Sequence, residues 1–248
     1  MRLADLARSL AVPARMGRVT TPTADLWHHY GRARHATDRA VPDTFHWGWS
    51  QGSGPGPEVL GDLTGLHVGD VGAGTARHAA YLALHHGPAR IDAVDASPAQ
   101  HAMATDLYGH LAPRLRIEQT DVVSHLRAAA NTYDVLYSVF GAVDFTEPRE
   151  LLPAAAAALR PGGRLVFSTL AHYHGGAPAQ PDVQHADIPA RTPDGKAVTM
   201  RRWVLQKQVW TKMMSASGFT RISVEQLLGE AERRPTDAHL VTAHREAP

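Results

Sequence analysis

Leu66-His67-Val68-Gly69-Asp70-Val71-Gly72-Ala73-Gly74-Thr75-Ala76-Arg77 is an apolar run, an acid, two glycines one residue apart and the opening of a helix. The pattern predicts a strand feeding a tight turn, where the missing side chains let a nucleotide-like ligand approach the backbone. Arg90-Ile91-Asp92-Ala93-Val94-Asp95 reads as a second short buried strand, ending on Asp95 where an acid can receive a pair of ribose hydroxyls. Two strand-end acids around a glycine turn make a cofactor site, and the glycine spacing bears on its occupant. A dinucleotide turn wants Gly-x-Gly-x-x-Gly, so that helix and pyrophosphate pack closely. Arg77 occupies the third position and weakens a nicotinamide reading without removing it.

Further matches follow along the chain in order. Asp70-Val71-Gly72-Ala73-Gly74-Thr75 resembles motif I of the class I S-adenosylmethionine-dependent methyltransferases, with Ala76 in place of the last glycine. Leu115-Arg116-Ile117-Glu118-Gln119-Thr120-Asp121-Val122 resembles that family's third strand with its acid. Tyr133-Asp134-Val135-Leu136-Tyr137-Ser138-Val139-Phe140-Gly141-Ala142 is similar to its motif IV. Leu159-Arg160-Pro161-Gly162-Gly163-Arg164-Leu165 resembles the turn into its fifth strand. The resemblance covers residues 58–170 and implies an α/β fold: a doubly wound, mostly parallel, Rossmann-like sheet of seven strands. It implies S-adenosylmethionine as cofactor, S-adenosylhomocysteine as product, and a binding set of Asp70, Gly72, Ala73, Gly74, Asp95, Ala96, Asp121, Val122 and Ser138. In that arrangement the methionine part crosses Gly72 and Gly74 with Asp70 near its amino group. Asp95 holds the ribose, and Asp121 accepts from the adenine amine beside the Val122 backbone. Plainer roles stay open, because the glycines can serve the turn alone and Asp95 and Asp121 can be helix N-caps.

Composition narrows the class. The 248 residues carry 25 Lys and Arg against 24 Asp and Glu, a net charge of +1 with no basic stripe, which disfavours a nucleic-acid partner. The absence of cysteine excludes disulfides, thiolate metal sites and cysteine nucleophiles. Neither a targeting segment nor a run long enough to span a bilayer is evident, so the expectation is a cytoplasmic, soluble protein, with a homo-oligomer not deducible.

The pattern divides the chain into an N-terminal helical cap with an aromatic loop, residues 1–57, and a cofactor-binding domain, residues 58–248. Within the cap, Leu3, Leu6, Ala7 and Leu10 suggest an amphipathic helix over residues 2–16, and a second helix is expected over 23–39. Phe45, Trp47 and Trp49 look like aromatic anchors of a glycine- and proline-rich loop. Strands are expected at 66–71, 90–95, 115–119, 133–139 and 163–170, with helices between them. Residues 171–200, rich in Gly, Pro, His and Asp, break the alternation and read as a lid. Trp203 and Trp210 are seven residues apart, as on one face of a helix ending at Gly218, and two final strands at 219–227 and 238–244 close the sheet.

Methyl transfer from a sulfonium needs alignment and exclusion of water more than a strong base, so no catalytic triad is expected. For a weakly acidic acceptor, His172, His174, His28 and His29 are the candidate proton acceptors by position, with His46 behind them, and each has packing or surface exposure as its plainer role. No acid is spaced to complete a metal site with them. His67 is expected to be a satisfied core residue. Trp27, Tyr30, Phe45, Trp47 and Trp49 either roof the sulfonium or simply pack the cap. The sequence thus points to a methyltransferase for a small-molecule acceptor, in secondary-metabolite biosynthesis by analogy of fold. A nicotinamide-dependent oxidoreductase and a non-catalytic S-adenosylmethionine-binding protein are the alternatives.

Overall fold

The apolar runs become strands in the computed structural model, which describes residues 25–49, 54–229 and 236–247. β1 (His67–Val71), β2 (Arg90–Asp95), β3 (Leu115–Gln119), β4 (Tyr133–Val139) and β5 (Leu159–Leu170) run parallel. After them come a small hairpin of β6 (Ala186–Arg191) and β7 (Ala197–Arg202), then β8 (Phe219–Leu227) and β9 (Ala238–Arg245). β9 pairs antiparallel with both β5 and β8, giving a seven-stranded sheet in the order β3-β2-β1-β4-β5-β9-β8. The order reverses between β1 and β4, which opens a crevice at their carboxyl ends. Among the described residues no helix is long and apolar enough to cross a membrane.

Helices cover both faces, as continuous apolar strands require. α2 (Arg77–His85) and α3 (Pro98–Tyr108) lie on one face, where Ala79, Ala80, Leu82 and Leu107 bury against Val68, Ile91 and Val135. α4 (Val122–Ala128), α6 (Pro148–Ala158) and α7 (Lys207–Ala216) lie on the other, with Leu126, Leu151, Leu152 and Trp210 packed around Leu136 and Phe167. The short helix α5 (Ala142–Phe145) follows β4 directly. Local chemistry sets the helix ends: Ser97 caps α3 by accepting from Gln100 N, with Pro98 at the first position, and Asp121 caps α4 by accepting from Ser124 N.

The structure departs from the sequence reading in several places. The expected 23–39 helix shrinks to α1 (Arg32–Thr37), because Gly31 takes a left-handed φ of 75° and separates it from the turns before it. The 2–16 pattern and residues 23 and 24 lie outside the described residues. β5 starts at Leu159 rather than 163, since Leu159 already pairs with Tyr133 before a register shift. The 171–200 segment carries most of the β6–β7 hairpin, turned by Thr192-Pro193-Asp194-Gly195 with Gly195 at φ 85°. That turn composition is itself a hairpin signal. Trp203 precedes α7 instead of sharing a face with Trp210, although both are buried.

α2 begins at Arg77 rather than at Thr75 because Ala76, its N-cap, sits in the left-handed region at φ 58°. An L-residue there costs about 1–2 kcal/mol. Glycine removes that strain and returns roughly 0.5–1 kcal/mol of it as backbone entropy. Ala76→Gly is therefore expected to raise stability by up to about 1 kcal/mol, read as a higher denaturation midpoint at unchanged m-value. A lowered midpoint would mean that the buried methyl outweighs the strain.

Candidate functional site

The glycine turn wraps the end of β2. Gly72 N and Ala73 N both donate to Val94 O, at 2.9 and 3.1 Å, and Gly74 N donates to Asp95 Oδ2 at 2.8 Å. Asp95 Oδ1 accepts from Ser97 N at 2.9 Å. Each carboxylate oxygen keeps a second lone pair for a ligand hydroxyl. Burial raises the Asp95 pKa, the Ser97 and Gly74 amides oppose that, and Asp25 nearby adds to it. The two glycines do different work. A Cβ on Gly72 would lie 2.1 Å from Ala142 N, so this residue is needed for contact between the β1 and β4 loops. A Cβ on Gly74 would meet only Gln100 Oε1, at 3.5 Å, which leaves Gly74 as the bare approach to the site. Gln100 Oε1 is buried without a hydrogen-bond partner beside it.

Asp70, at the penultimate position of β1, is buried and accepts from the Tyr137 hydroxyl at 2.8 Å. Burial pushes its pKa up to about 7, against the Tyr137 hydrogen bond and with help from Asp95. The same burial, with Asp70 as neighbour, raises the Tyr137 phenol. Phe45 and Trp47 pack edge-on against the Tyr137 ring, so these two anchors belong to the core beneath Asp70. Asp121 stands exposed at the start of α4, where it is the N-cap, and Val122 beside it is buried. Ser138 is fully buried and donates to Val71 O at 2.8 Å, tying β4 to the turn. Ala96 is exposed next to Asp95.

The N-terminal segment covers this edge through Asp25 and Gln100, two residues absent from the sequence-derived set. Asp25 Oδ2 accepts from Ser97 Oγ at 2.8 Å and Ala99 N at 3.1 Å, and Gln100 Nε2 donates to the carbonyls of Trp27 and Tyr30. Arg77 turns away from the turn to pair with Asp38 at 2.7 Å. It is therefore committed to the N-terminal segment and not to a phosphate position. The Trp27 ring crosses to Phe145 of α5, 4.6 Å between centroids. An isolated aspartate far upstream offers no local pattern, which is why sequence reading missed Asp25.

Beyond β4 the α5 segment meets the end of β7 through a buried ion pair. Asp144, with no exposed surface, accepts from Arg202 Nη2 at 2.6 Å and Nε at 3.2 Å, and its backbone O accepts from Trp203 N at 2.7 Å. Burial raises the Asp144 pKa and the Arg202 charge opposes the rise. The guanidinium carbon lies 5.1 Å from the Phe145 centroid and 5.9 Å from that of Trp49. Trp49 is 40% exposed and also packs against Phe140 and His174, at 5.0 and 4.6 Å. Tyr30 is exposed at the surface and reaches Trp27 edge-on.

The histidines separate by their partners. His172 is spent, with Nδ1 on Tyr173 O at 3.0 Å and Nε2 accepting from Asp237 N at 3.3 Å. His28 donates from Nδ1 to Asp25 O at 2.9 Å and meets the exposed His29 edge-on. His174 lies at the lip of the crevice, its pKa lowered by burial, by Arg202 and by His172. His46 lies near His78, under α2. His67 is satisfied within a network of Asp92, Arg90, Tyr133 and His125 at the opposite edge of the sheet. Among the described residues no cluster of histidine and acids is arranged to hold a metal.

The match to known proteins is confined to the domain and the fold. Residues 68–163 match the family described as a methyltransferase domain. No curated protein matches the sequence significantly. Among solved structures, an S-adenosylmethionine-dependent methyltransferase from Mesorhizobium loti is 22% identical over 75% of this chain and 94% of that one, TM-score 0.55. The Burkholderia thailandensis 1,6-didemethyltoxoflavin-N1-methyltransferase, with its acceptor and S-adenosylhomocysteine bound, is 20% identical over 74% and 72%, TM-score 0.52. The 4+2 cyclase SpnF is 16% identical over 91% and 96%, TM-score 0.63.

Proposed function

We propose that this chain is a class I S-adenosylmethionine-dependent methyltransferase that transfers the methyl group to a small-molecule acceptor bound between its N-terminal segment and the 171–200 insertion. The observation that carries the reading is the single cradle made when Gly74 N closes on the Asp95 carboxylate at 2.8 Å, with the unpartnered Gln100 Oε1 beside the bare Gly74 Cα. These groups suit a ligand with vicinal hydroxyls and an extended chain crossing glycine. Asp95 holds the ribose and Asp70 lies toward the amino group. Asp121 and the Val122 backbone stand at the end of β3 for the adenine. S-adenosylmethionine supplies a methyl group on a sulfonium whose sulfur leaves neutral, so the protein's task is to align the acceptor and exclude water.

The near-zero net charge and the aromatic walls Trp27, Phe145 and Trp49 support a small acceptor over a nucleic acid. A secondary metabolite fits the same walls, and the toxoflavin-precursor enzyme is a precedent on this fold. Incubated with methyl-labelled S-adenosylmethionine and separate pools of small molecules, RNA, DNA and protein, the chain is expected to label the small-molecule pool alone. Label in a polymer would overturn the acceptor class. Because a cyclase shares the fold, binding and transfer are measured apart.

Asp95→Ala is expected to weaken S-adenosylhomocysteine by about 2–4 kcal/mol in calorimetry, since two charge-assisted hydrogen bonds are lost. Asp95→Asn should fall between the variant and the wild type. Unchanged affinity in Asp95→Ala would remove the residue from the site.

A further inference from the structure

We propose that the acceptor is a planar, conjugated molecule with an acidic hydroxyl, held against the Trp49 and Phe145 rings with its oxygen toward Arg202 and its proton taken by His174. The inference rests on the methyltransferase reading and narrows its acceptor. Three observations lead to it. First, Arg202 spends Nε and Nη2 on Asp144, leaving Nη1 without a hydrogen bond among the described residues, while both neighbouring aromatic rings lie within 6 Å of its guanidinium carbon. A guanidinium fixed on one side by a buried carboxylate presents its remaining edge as a rigid donor, suited to an anionic oxygen lying in the plane of a flat ligand.

Second, the aromatic wall is already occupied by that cation. Aromatic clusters commonly bind ammonium groups, but a cationic ligand beside Arg202 would meet repulsion with no anion to offset it, so the wall selects a flat partner that is neutral or anionic and whose oxygen anion balances the charge His174 gains. Third, His174 packs at a tilt against the same Trp49 ring, 4.6 Å between centroids, within electrostatic reach of Arg202 and His172 and beside the Thr236 hydroxyl. Its Nδ1 lies 3.5 Å from Thr236 Oγ1. In the tautomer that donates there, Nε2 is an open acceptor for a proton arriving from the ligand. The O–H bond of the acceptor then breaks, the N–H bond forms on His174, and the charge left on oxygen faces Arg202 Nη1. His172, with both ring nitrogens engaged, is excluded from this step. Asp144 is a positioning residue, since its contacts are to Arg202, Thr169 and the Trp203 backbone.

The test uses the full chain saturated with S-adenosylhomocysteine and 4-nitrophenol as probe, because its phenolate absorbs visibly and its phenol does not. The bound probe is expected to be enriched in phenolate over free probe at the same pH, by about ten-fold for one charge-assisted contact. Arg202→Met and His174→Gln should each abolish most of that enrichment. Trp49→Ala, at a partly exposed position that does not threaten folding, should weaken probe binding about ten-fold. Cyclohexanol, of similar size but not flat, should bind far more weakly. Probe bound with no phenolate enrichment, enrichment unchanged in both Arg202→Met and His174→Gln, or probe affinity unchanged in Trp49→Ala, overturns the inference. So does saturation with S-adenosylhomocysteine without probe binding. Failure of S-adenosylhomocysteine itself to bind would instead strike the cofactor reading.

Discussion

Gly72→Ala is expected to destabilise the protein by more than about 3 kcal/mol, whereas Gly74→Ala, two residues on, should cost roughly 1–2 kcal/mol. Both glycines have positive φ, 80° and 55°, so both substitutions carry backbone strain. Only Gly72 also faces backbone: its Cβ would lie 2.1 Å from Ala142 N and 2.8 Å from Gly141 C, and neither can rotate away. The opposite wall has the same construction, since a Cβ on Gly141 would approach Gly72 O to 2.6 Å and Val71 O to 3.0 Å. Closing the β1 and β4 loops on each other brings Ser138 to Val71 and shapes the floor of the crevice. Chemical denaturation of the two variants measures the difference. Equal, small losses would mean that the β4 loop is free to move away. Gly74→Ala should separately weaken cofactor binding, because its new methyl group projects into the approach beside Gln100.

Asp70→Asn should change the pH dependence of stability more than any other conservative substitution in the site. The carboxyl is held near pKa 7 in the folded protein by burial, against about 3.9 in an unfolded chain. The folded state therefore binds a proton that the unfolded state releases between those values. The contribution of Asp70 to stability is most favourable below about pH 4, declines as pH rises, and has been lost above about pH 7. The gap corresponds to up to about 4 kcal/mol. Asparagine keeps an acceptor for Tyr137 and cannot ionise. The variant is expected to match the wild type near pH 4 and to exceed it at pH 8, with the difference opening across pH 4–7. A constant difference across that range would mean that Asp70 ionises normally in the folded protein. The same proton couples to the ligand. An ammonium beside Asp70 favours the carboxylate, so S-adenosylhomocysteine binding near pH 6 should release a proton from the wild type and none through this position in Asp70→Asn.

Much of the fold was legible because its signals are local. Strand-length apolar runs, the Asp121 helix start and the Gly218 helix stop each depend on a few neighbouring residues, and the strands β1 to β4 lie within a residue of where the pattern put them. The fold's irregularities were harder to read. Ala76 adopts a conformation normally left to glycine, so α2 starts late, and Gly31 interrupts a segment whose apolar spacing suits one longer helix. The hairpin inside the insertion was obscured by its prolines, though Pro193-Asp194-Gly195 announces the turn. In the site, Gly74, Asp95 and the acids at the ends of β1 and β3 were visible as a motif. Asp25, Gln100, Tyr137 and the Asp144–Arg202 pair were not, because they act across separations of 58 to 73 residues that only the folded chain brings together. Histidine placement also needed the structure: of the four positions singled out, His172 is consumed by backbone contacts and His174 packs against the aromatic wall.

The central claim is that the glycine turn and Asp95 form an S-adenosylmethionine site and not a dinucleotide site. Calorimetric titration of the wild-type chain with S-adenosylhomocysteine, and separately with NADH, tests it most directly. The account predicts saturable one-to-one binding of S-adenosylhomocysteine, sharply weakened in Asp95→Ala, and no saturable heat with NADH. Saturable binding of NADH that depends on Asp95, with none of S-adenosylhomocysteine, would contradict it.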